Sequence, residues 1–163
     1  CANLPYNITT PVLTALIEAR RFACIAVMIQ REVALRICAA PGTADYGAFS
    51  VYCQYHTVPE LLFDVGPECF VPAPKVTSSV IRMVPRAVPP EGVEDEKRFF
   101  RVVKAAFGQR RKTLLNALSA GLGGVDKETI RAAIAAAGLP EHVRGERLGI
   151  PEFAALTRAL GDF

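Results

Sequence analysis

Four consecutive residues near the start of the chain, Asn3-Leu4-Pro5-Tyr6, suggest the most definite chemistry in the sequence. An exocyclic adenine amine is a poor nucleophile because its lone pair is delocalised into the ring. Two acceptors aimed at its two N–H bonds favour a tetrahedral, nucleophilic nitrogen. The side-chain oxygen of Asn3 can be one acceptor and the carbonyl of Leu4 the other. Pro5 has no N–H and holds φ at about −65°, which stiffens the loop. Tyr6 offers a flat face to a base, with stacking worth about 1–3 kcal/mol. That offsets the cost of taking the base out of its helix. The same four residues also suit an ordinary turn ahead of a helix, so the motif is weak when read alone.

Two further segments bear on it. In "CFVPAPKVTSSVI" an aromatic, Phe70, stands just before a rigid Pro-x-Pro turn that feeds a strand. A base held between Tyr6 and Phe70 would be covered on both faces, although the segment read alone favours a core aromatic beside strand-capping prolines. The third segment, "KRFFRVVKAAFGQRRKTLLNAL", holds Lys97, Arg98, Arg101, Lys104, Arg110, Arg111 and Lys112 with no acidic residue among them. Lys97, Arg101 and Lys104 share one face at helical spacing and can track phosphates together. A solvated helix face usually mixes both signs, as "DKETIR" does in the same chain. The interleaved Phe99, Phe100 and Phe107 read as core residues before they read as base-stacking ones.

These residues need elements to position them. "TTPVLTALIEA" is a helix with Thr10 as N-cap, Pro11 at its first position and Leu13, Leu16 and Ile17 on one face. "CIAVMI" is a short apolar run expected as a strand buried on both faces. "REVALRICA" has helical spacing, "APGTADYG" is a loop, "AFSVYCQYH" leans to helix, and "TVPELLFDV" reads as a strand. "GPECFVPAPKV" is too rich in proline for regular structure, and "KVTSSVIRMV" alternates as a strand. The first eighty-odd residues thus describe the back half of an open α/β sheet that ends in a hairpin-like pair.

A proline-rich linker follows, and all beyond it is helical. One helix runs from Asp95 to Gly108, a second from Arg110 through "AGLGG", and a third has Asp126 as N-cap and Gly138 just past its end. "IPEFAALTRALG" forms the last. The expected organisation is residues 1–86 as the C-terminal half of a Rossmann-like domain with the catalytic loop, 87–93 as linker, and 94–163 as a small all-α domain.

Composition excludes several classes. With 51% hydrophobic residues the chain is globular, and its net charge of +3 alone does not imply a polyanion partner. No apolar stretch reaches the roughly 18–20 residues of a bilayer span, and no signal peptide is evident. Cys1, Cys24, Cys38, Cys53 and Cys69 form no C-x-x-C pair and lie near no paired histidine, so reduced cytosolic thiols are expected and no metal site.

Taken together and in this order, "NLPYNITTPVL", "FVPAPKVTSSVIR" and "AFGQRRKTLLNAL" resemble the ribosomal RNA adenine dimethyltransferases, over nearly the whole chain. The last motif is the more specific signature and points to the small-subunit, KsgA-type branch. The resemblance implies a class I, Rossmann-like methyltransferase domain followed by a helical RNA-binding domain. It implies dimethylation of two adjacent adenosines near the 3′ end of 16S rRNA, with S-adenosylmethionine as methyl donor. Asn3, Leu4, Pro5 and Tyr6 match the catalytic loop, Asn3 also borders the cofactor, and Phe70 matches the base-stacking aromatic. Lys75, Lys97, Arg101, Lys104, Gln109, Arg110, Arg111 and Lys112 are the RNA-binding candidates it implies. The implied partner is immature small-subunit rRNA in the cytoplasm, with no membrane or metal and a monomeric complete protein.

One departure is large. The family carries a glycine-rich loop after its first strand and an acidic residue for the cofactor ribose, and no G-x-G precedes Asn3 here. The chain is therefore expected to be a C-terminal fragment, inactive alone, with most of the cofactor site in the missing half. Three other readings compete, the weakest a DNA adenine methyltransferase, disfavoured because such sites more often carry Pro or another residue in place of Leu4 and lack this tail. A large-subunit rRNA adenine methyltransferase of the macrolide-resistance type shares the first two motifs but not "FGQRRKTL". A non-catalytic RNA-binding or ribosome-assembly module would keep only the helical domain's role.

Overall fold

A computed structural model describes all 163 residues. They divide into two compact units, Cys1–Ala39 with Tyr52–Val88, and Ala40–Val51 with Pro89–Phe163.

The first unit is a four-stranded sheet with helices. Its elements are β1 (Ala2–Asn3), α1 (Thr9–Glu18), β2 (Ile25–Gln30), α2 (Arg31–Cys38), β3 (Thr57–Val65) and β4 (Ser78–Pro85), with α3 (Ala48–His56) running into β3. The spatial order is β1-β2-β4-β3. β1 runs parallel to β2, while β4 runs antiparallel to both β2 and β3. The expected antiparallel pair at the end of the sheet is β3 and β4.

The β2 run, expected to be buried on both faces, is fully buried on one only. Ile25, Val27 and Ile29 are sealed, whereas Ala26, Met28 and Gln30 are half-buried. The sealed face fits cover by α2, which packs on β2, β3 and β4 and buries Ala34 and Ile37 completely.

The second unit is all helical: α4 (Glu96–Gly108), α5 (Leu114–Gly121), α6 (Lys127–Ala136) and α7 (Ile150–Leu160). Asp95 caps α4 by accepting from the Arg98 amide, and Asp126 caps α6 by accepting from the amides of Glu128 and Thr129. Helix α6 ends as its sequence predicts. Gly138 sits at φ +70°, its N–H reaches Ala135 and the N–H of Leu139 reaches Ile134, which closes a Schellman turn. Phe99, Val102, Leu114, Leu118, Ile130, Phe153 and Leu156 are fully buried. Phe99 and Phe153 meet edge to face at 6.3 Å, so Phe99 is a core residue.

Four boundaries differ from expectation. Helix α1 begins at Thr9, one residue before the expected cap, and holds Pro11 within its first turn, where the missing N–H removes no helical bond. β4 begins at Ser78 and not Lys75, because both neighbours stop there: Ser78 pairs with Gln30 and with Val65. Helix α5 begins at Leu114, so Arg110, Arg111 and Lys112 lie in the turn before it. Finally, 40–51 were expected within the sheet domain, yet they group with the helices. Buried Tyr46 explains this, since its hydroxyl donates to the Leu148 carbonyl at 2.9 Å and its ring meets Phe107 at 6.0 Å.

Candidate functional site

The sheet brings its motif loops to one edge. β1 and β2 are parallel and end at Asn3 and Gln30, β3 ends at Val65, and β4 starts opposite them at Ser78. The Asn3–Tyr6 loop and the 66–77 loop therefore both emerge at the carboxyl ends of β1, β2 and β3. That edge is where open α/β sheets receive their ligands.

Local structure explains how Asn3–Tyr6 is held. Leu4 is buried and its N–H donates to the Met28 carbonyl at 3.1 Å, which extends the β1–β2 pairing by one residue. Pro5, at φ −59° and ψ 137°, turns the chain into a 3₁₀ turn over Tyr6–Ile8 that leads straight into α1. The Pro5 carbonyl accepts from the Ile8 amide and from the Thr9 hydroxyl, each at 3.2 Å. A turn ahead of a helix is thus what the backbone forms. That turn leaves the exposed Asn3 amide and the Leu4 carbonyl with no hydrogen-bonding partner in the chain. The plain reading and the chemical one are compatible.

Tyr6 is half-buried, and its hydroxyl lies 2.7 Å from the Ser78 hydroxyl. Ser78 closes the loop that carries Phe70. Within that loop a 3₁₀ turn over Pro67–Cys69 precedes half-buried Phe70, whose N–H donates to the Pro67 carbonyl at 3.2 Å. The Val71–Pro72 peptide is cis, and Lys75 is exposed.

The far end of the loop is pinned from the other side of β4. Ser79 donates to Asp64 at 2.6 Å, Arg31 Nε donates to the same carboxylate at 2.9 Å, and the Arg31 amide donates to the Thr77 carbonyl at 3.0 Å. The Ser79 hydroxyl and then Arg31 hold the Asp64 carboxyl below its ordinary range. Arg31, Asp64, Ser78 and Ser79 were missed in the sequence. The signal was a pair of adjacent serines inside an otherwise apolar alternation.

The second unit presents the basic candidates. Lys97, Arg101 and Lys104 lie on the exposed face of α4, and Gln109, Arg110, Arg111 and Lys112 are exposed in the turn after it. They are not equivalent. Arg101 donates to the Phe163 carbonyl at 3.0 Å, with its guanidinium 5.0 Å from the Phe163 ring centroid. Arg110 donates to the Ala44 carbonyl and lies 3.8 Å from the Glu146 carboxylate. Lys97, Lys104, Arg111 and Lys112 form no ion pair in the chain. Arg101, Lys104 and Gln109 also rim a groove between α4 and α5 whose floor includes Ala105, Gly108, Ala117 and Gly121.

Other chemistries find less support. All five cysteines are free; burial pushes the Cys53 thiol up to about 12 and raises Cys38, so neither is a thiolate nucleophile at neutral pH. No group of three or more His, Cys, Asp or Glu is placed to hold a metal ion, and no helix is long and apolar enough to cross a membrane.

Comparison with known proteins agrees with the motif and the sheet. The model of the ribosomal RNA adenine dimethylase family matches residues 1–139. A protein of Moorella thermoacetica named ribosomal RNA small subunit methyltransferase A is 50% identical over 160 residues, 98% of this chain and 55% of its own length. One of Alkaliphilus metalliredigens with the same name is 48% identical, over 96% of this chain and 55% of its own length. The chain thus spans about half the length of the curated relatives it matches. A dimethyladenosine transferase crystal structure from Plasmodium falciparum aligns at TM-score 0.76 and 21% identity, covering 96% of this chain and 64% of that one. The 23S rRNA methyltransferase ErmE aligns at TM-score 0.69 and 22% identity, over 99% and 65%. These two share the fold of the chain. By its family match and these relatives, the chain belongs to the ribosomal RNA adenine dimethylase family.

Proposed function

We propose that the complete protein methylates the exocyclic amines of two adjacent adenosines near the 3′ end of small-subunit rRNA, twice each, during assembly of the small ribosomal subunit in the cytoplasm. The observation that carries this is the Asn3–Leu4 pair: an exposed amide and a carbonyl, both uncommitted, at the carboxyl edge of a methyltransferase sheet. When bound, S-adenosylmethionine supplies an electrophilic methyl group. The Asn3 amide, at the end of a parallel strand on the ligand-receiving edge, fits a neighbour of that cofactor. The remaining cofactor contacts are assigned to parts of the protein outside residues 1–163.

The chain's own residues would act as follows. Asn3 and the Leu4 carbonyl accept the two N–H bonds of the amine and free its lone pair. Tyr6 and Phe70 hold the two faces of the extruded base. No general base is required, because the methylated nitrogen is acidic and loses its proton to water. Lys75, Lys97, Lys104, Gln109, Arg111 and Lys112 meet rRNA phosphates. Arg101 and Arg110 border that surface while bonded within the chain. The acting species is a monomer.

Small and large ribosomal particles from an unmodified strain, incubated with the complete enzyme and labelled methyl donor, test this. Label is expected on adenosines of the small particle. Label confined to the large particle would transfer the assignment to the large-subunit enzymes, and label on neither would leave an RNA-binding role.

A further inference from the structure

Adjacent residues on a strand point to opposite faces of the sheet, and Ser78 and Ser79 are both buried. A buried hydroxyl needs a partner. Each has one, and the two partners come from different parts of the chain. Ser78 meets the Tyr6 hydroxyl at 2.7 Å on one face; Ser79 donates to Asp64 at 2.6 Å on the other, where Arg31 also binds. The first residues of β4 are thereby clamped from both sides, at the point where the Phe70 loop enters the sheet. A role in stability alone would be met by alanine or valine at Ser78, as it is by Val80, the next residue on the same face of the strand. A hydroxyl is needed only if something polar must be held there.

We propose that Ser78 is a positioning residue for methyl transfer: by holding the Tyr6 hydroxyl it locks the Asn3–Tyr6 loop to the root of the Phe70 loop. The two loops that would grip opposite faces of one base then share a single anchor. The inference rests on the methyltransferase reading, since it is the spacing of those two loops that it makes useful. Without the bond, Tyr6 is free to swing about the Pro5 turn, and the acceptors at Asn3 and Leu4 lose their alignment with the amine. Binding of rRNA phosphates, assigned to Lys75 and to the basic residues of the second unit, is left intact.

The test uses the complete enzyme with unmethylated small subunits. Ser78→Ala is expected to lower kcat about ten- to a hundredfold, the scale of a small misplacement of reacting groups. KM is expected to stay within about threefold, because most of the ground-state affinity for the small subunit is assigned to the basic residues, which the variant does not touch. Ser78→Thr, which keeps the hydroxyl, recovers most of the loss. Tyr6→Phe deletes the same bond from the other side and leaves the ring, so its effect matches that of Ser78→Ala. The double variant is no slower than either single one. Parental kcat in Ser78→Ala, or single effects that multiply in the double variant, overturns the proposal. Should Ser78→Ala not fold, Tyr6→Phe and Ser78→Thr decide it alone.

Failure of the underlying reading is separable. If the parent enzyme labels no small-subunit rRNA, the function is wrong, whatever the variants do. The link itself is then read from fluorotyrosine spectra of the complete protein. The Tyr6 resonance, assigned by its loss in Tyr6→Phe, must shift in Ser78→Ala and stay in place in Ser78→Thr. A resonance unmoved by Ser78→Ala removes the anchor.

Discussion

Arg110 donates a hydrogen bond to the carbonyl of Ala44, sixty-six residues away in the chain, and stands 3.8 Å from the carboxylate of Glu146. All three residues belong to the helical unit. The first cation of the Arg-Arg-Lys run is therefore engaged by the protein itself, while Arg111 and Lys112 project without an ion pair. Deleting one cation that neutralises a phosphate should reduce the slope of log affinity against log salt by about 0.7–0.9. We expect that reduction for Arg111→Ala and Lys112→Ala on rRNA. Arg110→Ala should instead lower the melting temperature, through loss of a bond worth about 0.5–1.5 kcal/mol. Equal slope changes in all three, with unchanged melting, would place Arg110 on the RNA.

The difference among those three cations marks where the sequence stops being informative. Their exposure follows from charge, but the partner of Arg110 depends on where the 40–51 segment packs, and that is set by Tyr46 finding Leu148, 102 residues on. The same holds for the start of β4. Burial alternates along the strand only from Ser79 to Val84, although "KVTSSVIRMV" reads as one run, because ladder bonds need neighbours and both end at Ser78. Local chemistry was legible where it was self-contained: Asp126 as a cap, Gly138 in a left-handed turn, Asn3–Tyr6 as a stiff turn ahead of a helix. The Tyr6–Ser78 bond was not, because nothing in either segment names the other.

Asn3 tests the division between chemistry and binding. In the complete protein, Asn3→Ala removes one of the two acceptors for the amine while leaving the basic surface as it is. A loss of about a hundredfold or more in methyl transfer is expected, the scale at which single preorganised polar groups act on a transition state. Affinity for unmethylated small subunits should be unchanged in a filter-binding titration. Methyl transfer at the parental rate would strip Asn3 of its role.

Asp64 should make the sheet unit sensitive to acid. Hydrogen bonds from Ser79 and Arg31 lower its pKa from the ordinary 3.8. A carboxyl that binds its proton less readily when folded contributes stability that is complete above its unfolded value. That stability fades as pH falls from the unfolded value through the depressed one. Melting followed from pH 6 downward should therefore drop more steeply in the parent than in Asp64→Asn, with the difference appearing only below about pH 4. Parallel curves would show that the pair contributes nothing, as many exposed ion pairs do.

The last prediction concerns the crossing of α4 and α5, which sets the surface carrying Arg101 and Lys104. Gly121 closes α5, and a Cβ placed on it would lie 2.6 Å from the Cβ of Ala105 and 2.9 Å from its Cα. Neither atom is the end of a flexible side chain, so the helices themselves must part. Overpacking of this kind costs about 1–3 kcal/mol, against which alanine regains about 0.5–1 kcal/mol over glycine in a helix. The net loss should appear as a melting temperature lower by several degrees in Gly121→Ala. Ala105→Gly on the same background removes the obstructing Cβ and should restore part of it, since the 2.9 Å approach to the Cα remains. A Gly121→Ala variant that melts at or above the parent would mean that the two helices have room to spare at this point, and that the glycine is there for another reason.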